Sequence, residues 1–205
     1  MKLNKFKLLP FLIFVIFLNG CSSFGWLKFW DSEDQEEGPT ELFSISQTIN
    51  ISTDWSKSFG NENNFGRLIP SVYDGKVYFI SSEGYLSSLD VQSGKTTWSK
   101  RTNDVVSGAV DVNFKTITYG TLDGDLVALD YSDGKELWRS KASSEILTPP
   151  VTDGRILVVQ TGDGRIAGYD FKSGERQWFY QTTLPRLTLR GTSRPYINQG
   201  FIFAG

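Results

Sequence analysis

The chain has no histidine, a single cysteine (Cys21) and a single methionine. Without histidine the commonest general base and metal ligand is missing, and a Ser-His-Asp triad cannot be assembled. One thiol allows no internal disulfide and no multi-cysteine metal site, so the fold must rest on packing. Basic charge is not in excess either. Lys and Arg number 21 against 23 Asp and Glu, a formal charge of −2, which excludes the basic footprint that nucleic-acid binders need. The one long apolar run, Leu8 to Leu18 with Pro10 inside it, falls short of the roughly 20 residues of a membrane-spanning helix.

What is present begins with an export signal over residues 1–20. Lys2, Lys5 and Lys7 precede the apolar run, and Gly20 and Cys21 follow it, which is the basic start, greasy middle and small-residue cut site of a signal peptide. Leu18-Asn19-Gly20-Cys21 resembles the lipobox of bacterial lipoproteins. That resemblance implies a diacylglycerol on Cys21, and Ser22 after it implies passage to the outer membrane. Loss of the three lysines with the signal takes the formal charge from −2 to −5. Residues 21–47 read as a lipidated, acidic, flexible tether, since Asp31, Glu33, Asp34, Glu36 and Glu37 crowd together with nothing apolar to bury. The aromatic cluster before them (Phe24, Trp26, Phe29, Trp30) suits either a headgroup layer or a bare linker.

From residue 48 to 205 the chain repeats with a period of 40. Gly84, Gly124 and Gly164 share one register, as do Asp90, Asp130 and Asp170, then Gly94, Gly134 and Gly174, then Trp98, Trp138 and Trp178. A period of this length points to a propeller, a solenoid or a helical array. No unit contains a sustained amphipathic helical run, which removes the helical arrays. Each unit instead reads as strands separated by Gly-centred turns, as in Ile156-Leu157-Val158-Val159, Asp163-Gly164 and Ser173-Gly174-Glu175. With the short runs at Pro70–Tyr73, Val110–Val112 and Pro150–Thr152, four strands fall in each unit, the content of one propeller blade. The predicted fold is therefore all-β, a β-propeller of four-stranded antiparallel blades at about 66–101, 106–141 and 146–181, with another starting at 193–205. Ile51 to Ser58, with Trp55, reads as the outer strand of a further blade. Runs such as Ile156 to Val159 are apolar on both faces, as a blade sandwiched between two others requires. The Trp is expected to fill the space between blades. A closed ring of this kind needs about seven or eight blades, so the expectation is a truncated chain that is not a stable monomer alone.

The Asp at 90, 130 and 170 recurs at one structural position and reads as a turn-capping acceptor rather than a catalytic acid. Asp123-Gly124-Asp125 lacks the spaced oxygens and closing Glu of a calcium loop. WD40 blades are excluded, because the residues after the three Trp are Ser99, Arg139 and Phe179 and there is no histidine. The repeat Gly-x-Leu/Ile-x-x-Leu/Tyr-Asp, then Ser/Asp-Gly-Lys/Glu, then Trp, resembles the pyrroloquinoline-quinone-type propeller repeat over roughly Ile49 to Gly205.

One interval breaks the register. Trp98 to Val110 and Trp138 to Pro150 are equal connections, whereas Trp178 to Pro195 carries five extra residues. An insertion in a strict array maps to a loop on one face, often the binding face. It contains Leu187, Leu189 and Arg190, and apolar anchors beside Arg are the composition of a binding hot spot. A lipobox, a tether, propeller repeats and then Leu-x-Leu-Arg-Gly-x-Ser-x-Pro resemble the BamB family of lipoproteins, part of the outer-membrane β-barrel assembly machinery. The resemblance implies a non-enzymatic scaffold with no cofactor, lipid-anchored on the periplasmic face of the outer membrane. It further implies that Leu187, Leu189 and Arg190 touch the periplasmic domains of the barrel-forming subunit BamA, and that unfolded outer-membrane proteins are helped to fold and insert. The alternatives are a quinone-dependent dehydrogenase, whose family often covers its cofactor with an adjacent cysteine pair, and a periplasmic ligand-binding or sensor propeller.

Overall fold

The computed structural model of the protein describes residues 44, 46, 48–59, 66–181, 183 and 193–205. Every strand lies in the second of two units, Ser52–Gly205, and no helix occurs among the described residues. Strands β2 (Ser71–Tyr73), β3 (Lys76–Ile80), β4 (Tyr85–Asp90) and β5 (Thr96–Arg101) form the first blade, in that order from inner to outer edge. The second blade is β6 (Val106–Asn113), β7 (Thr116–Thr121), β8 (Asp125–Asp130) and β9 (Glu136–Lys141). The third is β10 (Val151–Thr152), β11 (Ile156–Gln160), β12 (Arg165–Asp170) and β13 (Arg176–Gln181). Strands β14 (Tyr196–Asn198) and β15 (Phe201–Phe203) pair as the start of the next. Pairing within every blade is antiparallel.

Two local features differ from the expectation. The inner strand of the second blade is longer than Val110–Val112, because β1 (Arg67–Leu68) pairs with it in parallel through Arg67↔Gly108 and Leu68↔Ala109. Gly108 is needed at that approach. A Cβ there would lie 2.4 Å from the Thr148 carbonyl oxygen, so segments leading into three successive blades converge on one line. Residues 51–59 form no ladder, since an outer strand requires an inner neighbour and none lies beside it among the described residues. Trp55 nevertheless docks as an outer-strand Trp should.

Burial explains the apolar composition of the strands. In the second blade Val106 to Val112, Thr116 to Thr121 and Leu126 to Leu129 are all buried, because blades cover both of its faces. One cluster, around Tyr78, Leu86, Val110 and Tyr119, fills the space between the first and second blades. Another, around Leu126, Ile146, Leu157 and Tyr169, lies between the second and third. Each fully buried Val, Leu or Ile there contributes about 1.5–3 kcal/mol. The outer strands β5, β9 and β13 are exposed along their length except for partial cover of the Trp and, in β9, of Ser140.

That Trp is the inter-blade contact. Ideal Cβ positions at Gly94, Gly134 and Gly174 would lie 2.6, 3.1 and 2.4 Å from ring atoms of Trp55, Trp98 and Trp138. Each ring therefore packs against the turn glycine of the following blade, with no room for a side chain at Gly94 and Gly174 and little at Gly134. Trp55 Nε1 donates to the Val91 carbonyl at 3.0 Å, and Trp138 Nε1 to the equivalent Phe171 carbonyl at 3.1 Å. Trp98 meets its glycine by the far edge of the benzene ring, and its Nε1 has no partner. Across its own blade each Trp faces a small residue (Ser88, Ala128 or Gly168), and at Gly168 a Cβ would lie 2.3 Å from Trp178.

The turn glycines sit at φ of +67° to +73°, a region that disfavours any side chain. Around them the repeated Asp does what its position suggests. Asp90 Oδ1 accepts from the Ser93 amide at 2.8 Å and hydroxyl at 2.7 Å, Asp130 Oδ1 from the Ser132 amide at 2.8 Å, and Asp170 Oδ1 from the Ser173 amide at 2.8 Å. These donors hold the Asp90 and Asp170 carboxyls below the usual carboxylate range. Gly174→Ala should destabilise the fold by about 1–2 kcal/mol from backbone strain alone, with the clash against Trp138 added. Thermal unfolding checks this; an unchanged midpoint would contradict the Trp-on-Gly contact.

Candidate partner-docking rim

Antiparallel order fixes where each connection emerges. Outer-to-inner connections (102–105, 142–150 and 182–195) and the β3–β4, β7–β8 and β11–β12 turns fall at one rim. The inner hairpin turns and the β4–β5, β8–β9 and β12–β13 turns, which carry Gly94, Gly134 and Gly174, fall at the other. The strand ends that flank the overlong connection, at Gln181 and Tyr196, therefore lie at the first rim.

The first connection on that rim is tightly held. Thr102 N donates to the Gly84 carbonyl at 2.9 Å, and Leu122 N to the Val105 carbonyl at 3.0 Å. Asp104 accepts from Tyr119 Oη at 2.6 Å and from Arg139 Nη1 and Nη2 at 3.1 Å each. Arg139 also pairs with Glu136 at 2.8 Å, and Lys141 with Asp125 at 3.0 Å. Burial, with the Asp104 carboxylate beside it, pushes the Tyr119 phenol well above its usual range. The second connection is largely inside the protein, with Ile146, Leu147 and Thr148 buried and Ile146 N bonded to the Thr121 carbonyl at 3.1 Å.

The third is held at both ends. Gln181, where β13 finishes, bonds the Asp163 carbonyl through Nε2 at 2.9 Å and accepts from Arg165 Nε at 3.0 Å. At the far end Arg194 Nη2 donates to Asp111 Oδ1 at 2.6 Å and lies 3.4 Å from the Pro150 carbonyl. Asp111 is 7% exposed on the second blade's inner strand, and its Oδ2 accepts from Asn113 at 2.8 Å. The connection thus returns to the inner wall by an ion pair between residues 83 apart in sequence. Leu187, Leu189 and Arg190 lie outside the described residues, as does Cys21.

Sequence spacing groups Arg194 with the other arginines of the connection and gives no sign of its pairing with Asp111. Nor does it join Asp104 to Arg139. Both pairs escape because they break the 40-residue register, and that break is itself a signal: Arg139 stands where the neighbouring blades have Ser99 and Phe179. The opposite rim carries a cleft between the second and third blades, lined by Phe114, Leu137, Trp138 and Phe171 with Lys172 at its side. It holds no acid–base pair. Among the described residues no three His, Cys, Asp or Glu side chains gather as metal ligands would.

Stacked four-stranded blades, joined by Trp on turn glycines and all connected at one rim, define a β-propeller of the quinone-type repeat. The profile of one family within that class, described as outer membrane protein assembly factor BamB, matches residues 82–205. The chain belongs to that family. The assembly factor BamB of Kangiella koreensis is 48% identical over 169 residues, covering 82% of this chain and 44% of that protein. The crystal structure of BamB from Moraxella catarrhalis superposes with a TM-score of 0.60 at 26% identity, over 68% of this chain and 41% of that one. A 1-butanol dehydrogenase (quinone) of Thauera butanivorans is 27% identical over 43% of this chain and 16% of the enzyme. The chain thus spans less than half the length of the BamB relatives it matches.

A double-mutant cycle on Asp111→Ala and Arg194→Ala should show a coupling of about 1–2 kcal/mol in unfolding free energy. Additive effects would mean that the ion pair does not hold the connection.

Proposed function

We propose that the chain is the docking portion of a non-enzymatic assembly-factor lipoprotein. Cys21 carries the lipid that holds it to the periplasmic face of the outer membrane, residues 21–47 give reach, and the propeller presents its connection rim to the machinery that inserts outer-membrane β-barrels. Leu187 and Leu189 supply apolar anchors and Arg190 a guanidinium that meets carboxylates in two parallel bonds. The partner is the periplasmic region of the barrel-forming subunit BamA, and the clients are unfolded outer-membrane proteins held near it.

The observation that carries this reading is the family match over 82–205, a span that contains the one overlong connection. The ends of that connection, Gln181 and Arg194, are fastened to the scaffold. Rigid ends reduce the entropy that a binding segment loses on docking. Nothing comparable favours the dehydrogenase: its match is shorter and less identical than that to the assembly factor.

Arg190→Ala should weaken capture of BamA by the full-length lipoprotein about tenfold or more, and Leu189→Asp in addition should abolish it. Pull-down at moderate salt checks this, with circular dichroism confirming an unchanged fold. Undiminished capture by the double variant would remove the connection from the proposal.

A further inference from the structure

The outer edge of the third blade departs from the other two. After the Trp, β5 carries Ser99 and β9 carries Arg139, which Asp104 and Glu136 neutralise. At the same place β13 carries Phe179, opposite Ala167 and 54% exposed. Two guanidinium groups lie over its ring, Arg165 at 4.9 Å and Arg176 at 5.5 Å from the centroid. Among the described residues neither arginine has a carboxylate within ion-pairing distance. Edge strands are normally blunted by charge that deters contact. Here two cations steady an exposed aromatic ring instead, which lowers the rotamer entropy lost when a partner covers it.

Charge is segregated along the sequence that follows. From residue 176 to 205 the sequence has four arginines, Arg176, Arg186, Arg190 and Arg194, and no Asp, Glu or Lys, in a chain whose formal charge is −2. Arg186 and Arg190 lie outside the described residues, and Arg194 pairs with Asp111. Phe179 stands two residues before the end of β13, where the overlong connection begins.

We infer that the outer edge of the third blade is itself a docking surface, with Phe179 as its aromatic anchor and Arg165 and Arg176 beside it, and that it receives an acidic protein surface. The inference rests on the proposal that the chain docks on BamA. Arginine rather than lysine points to carboxylates, because its planar fork pairs with them bidentately while its face stacks on an aromatic ring. Aromatic and Arg side chains together are the usual centre of a protein hot spot. An anionic bilayer is the weaker match, since a net-acidic chain is repelled from such a surface as a whole.

The test measures binding of the full-length lipoprotein to the purified periplasmic region of BamA at low and moderate salt. Phe179→Ser should weaken it about tenfold, and Phe179→Trp should restore it. Arg165→Glu with Arg176→Glu should weaken it further and flatten its dependence on salt. A normal unfolding midpoint confirms that each variant is folded. If Arg190→Ala weakens binding while the Phe179 and Arg165/Arg176 variants bind like the parent, the edge surface is wrong and the connection stands. If all are silent, both fall. Loss of binding to vesicles of neutral and anionic phospholipid, with BamA binding intact, would assign the edge to the membrane and overturn the inference.

Discussion

A tryptophan lying on a glycine is the contact on which the rest of this structure depends. Trp55, Trp98 and Trp138 each cover the turn glycine of the blade that follows, so no blade completes its own packing. The requirement propagates. The glycine must be left-handed and bare, the turn that holds it needs an Asp to gather its amides, and the residue opposite the Trp must be small. These demands recur every 40 residues because the contact does. Between them the strands of the second blade are covered on both faces, which is why polar alternation is absent there.

The same regularity decides where function can be placed. Strand direction is fixed by antiparallel pairing, so every outer-to-inner connection reaches the same rim. The outer-hairpin turns of the opposite rim, at Gly94, Gly134 and Gly174, are constrained by the Trp rings against them, which disfavours any change in their length. A longer connection on the free rim costs little, because closure entropy grows only slowly with length. The third connection is the one that has lengthened, and its two fastened ends present it from a rigid base. Arg194 reaching Asp111 ties that base to the inner wall of a different blade. An exposed Phe179 beside it then offers aromatic surface at the edge where such surface is usually avoided.

Much of this architecture is legible in the amino-acid sequence. The register of Gly, Asp and Trp predicts blades, the doubly apolar runs predict sandwiching, and the copied Asp predicts turn caps; the structure places all three accordingly. Periodicity can reveal only what is repeated. The parallel pairing of β1, the Asp104–Arg139–Tyr119 cluster and the Asp111–Arg194 pair each occur once, and each depends on residues brought together by ring geometry rather than by spacing. Residues 51–59 show the reverse: Trp55 docks as the pattern suggests, while among the described residues no strand lies beside them to pair with. Leu187, Leu189 and Arg190 lie outside the described residues, so their role rests on resemblance and composition.

The central claim is that one rim, with the adjoining edge of the third blade, meets the partner. Site-specific photo-crosslinking in intact cells tests it most directly, with the reactive side chain placed in turn at Leu189 and Phe179 on the proposed surface and at Gln92 and Lys172 on the opposite rim. The account predicts adducts with BamA from the first pair and none from the second. Adducts confined to Gln92 and Lys172 would contradict it.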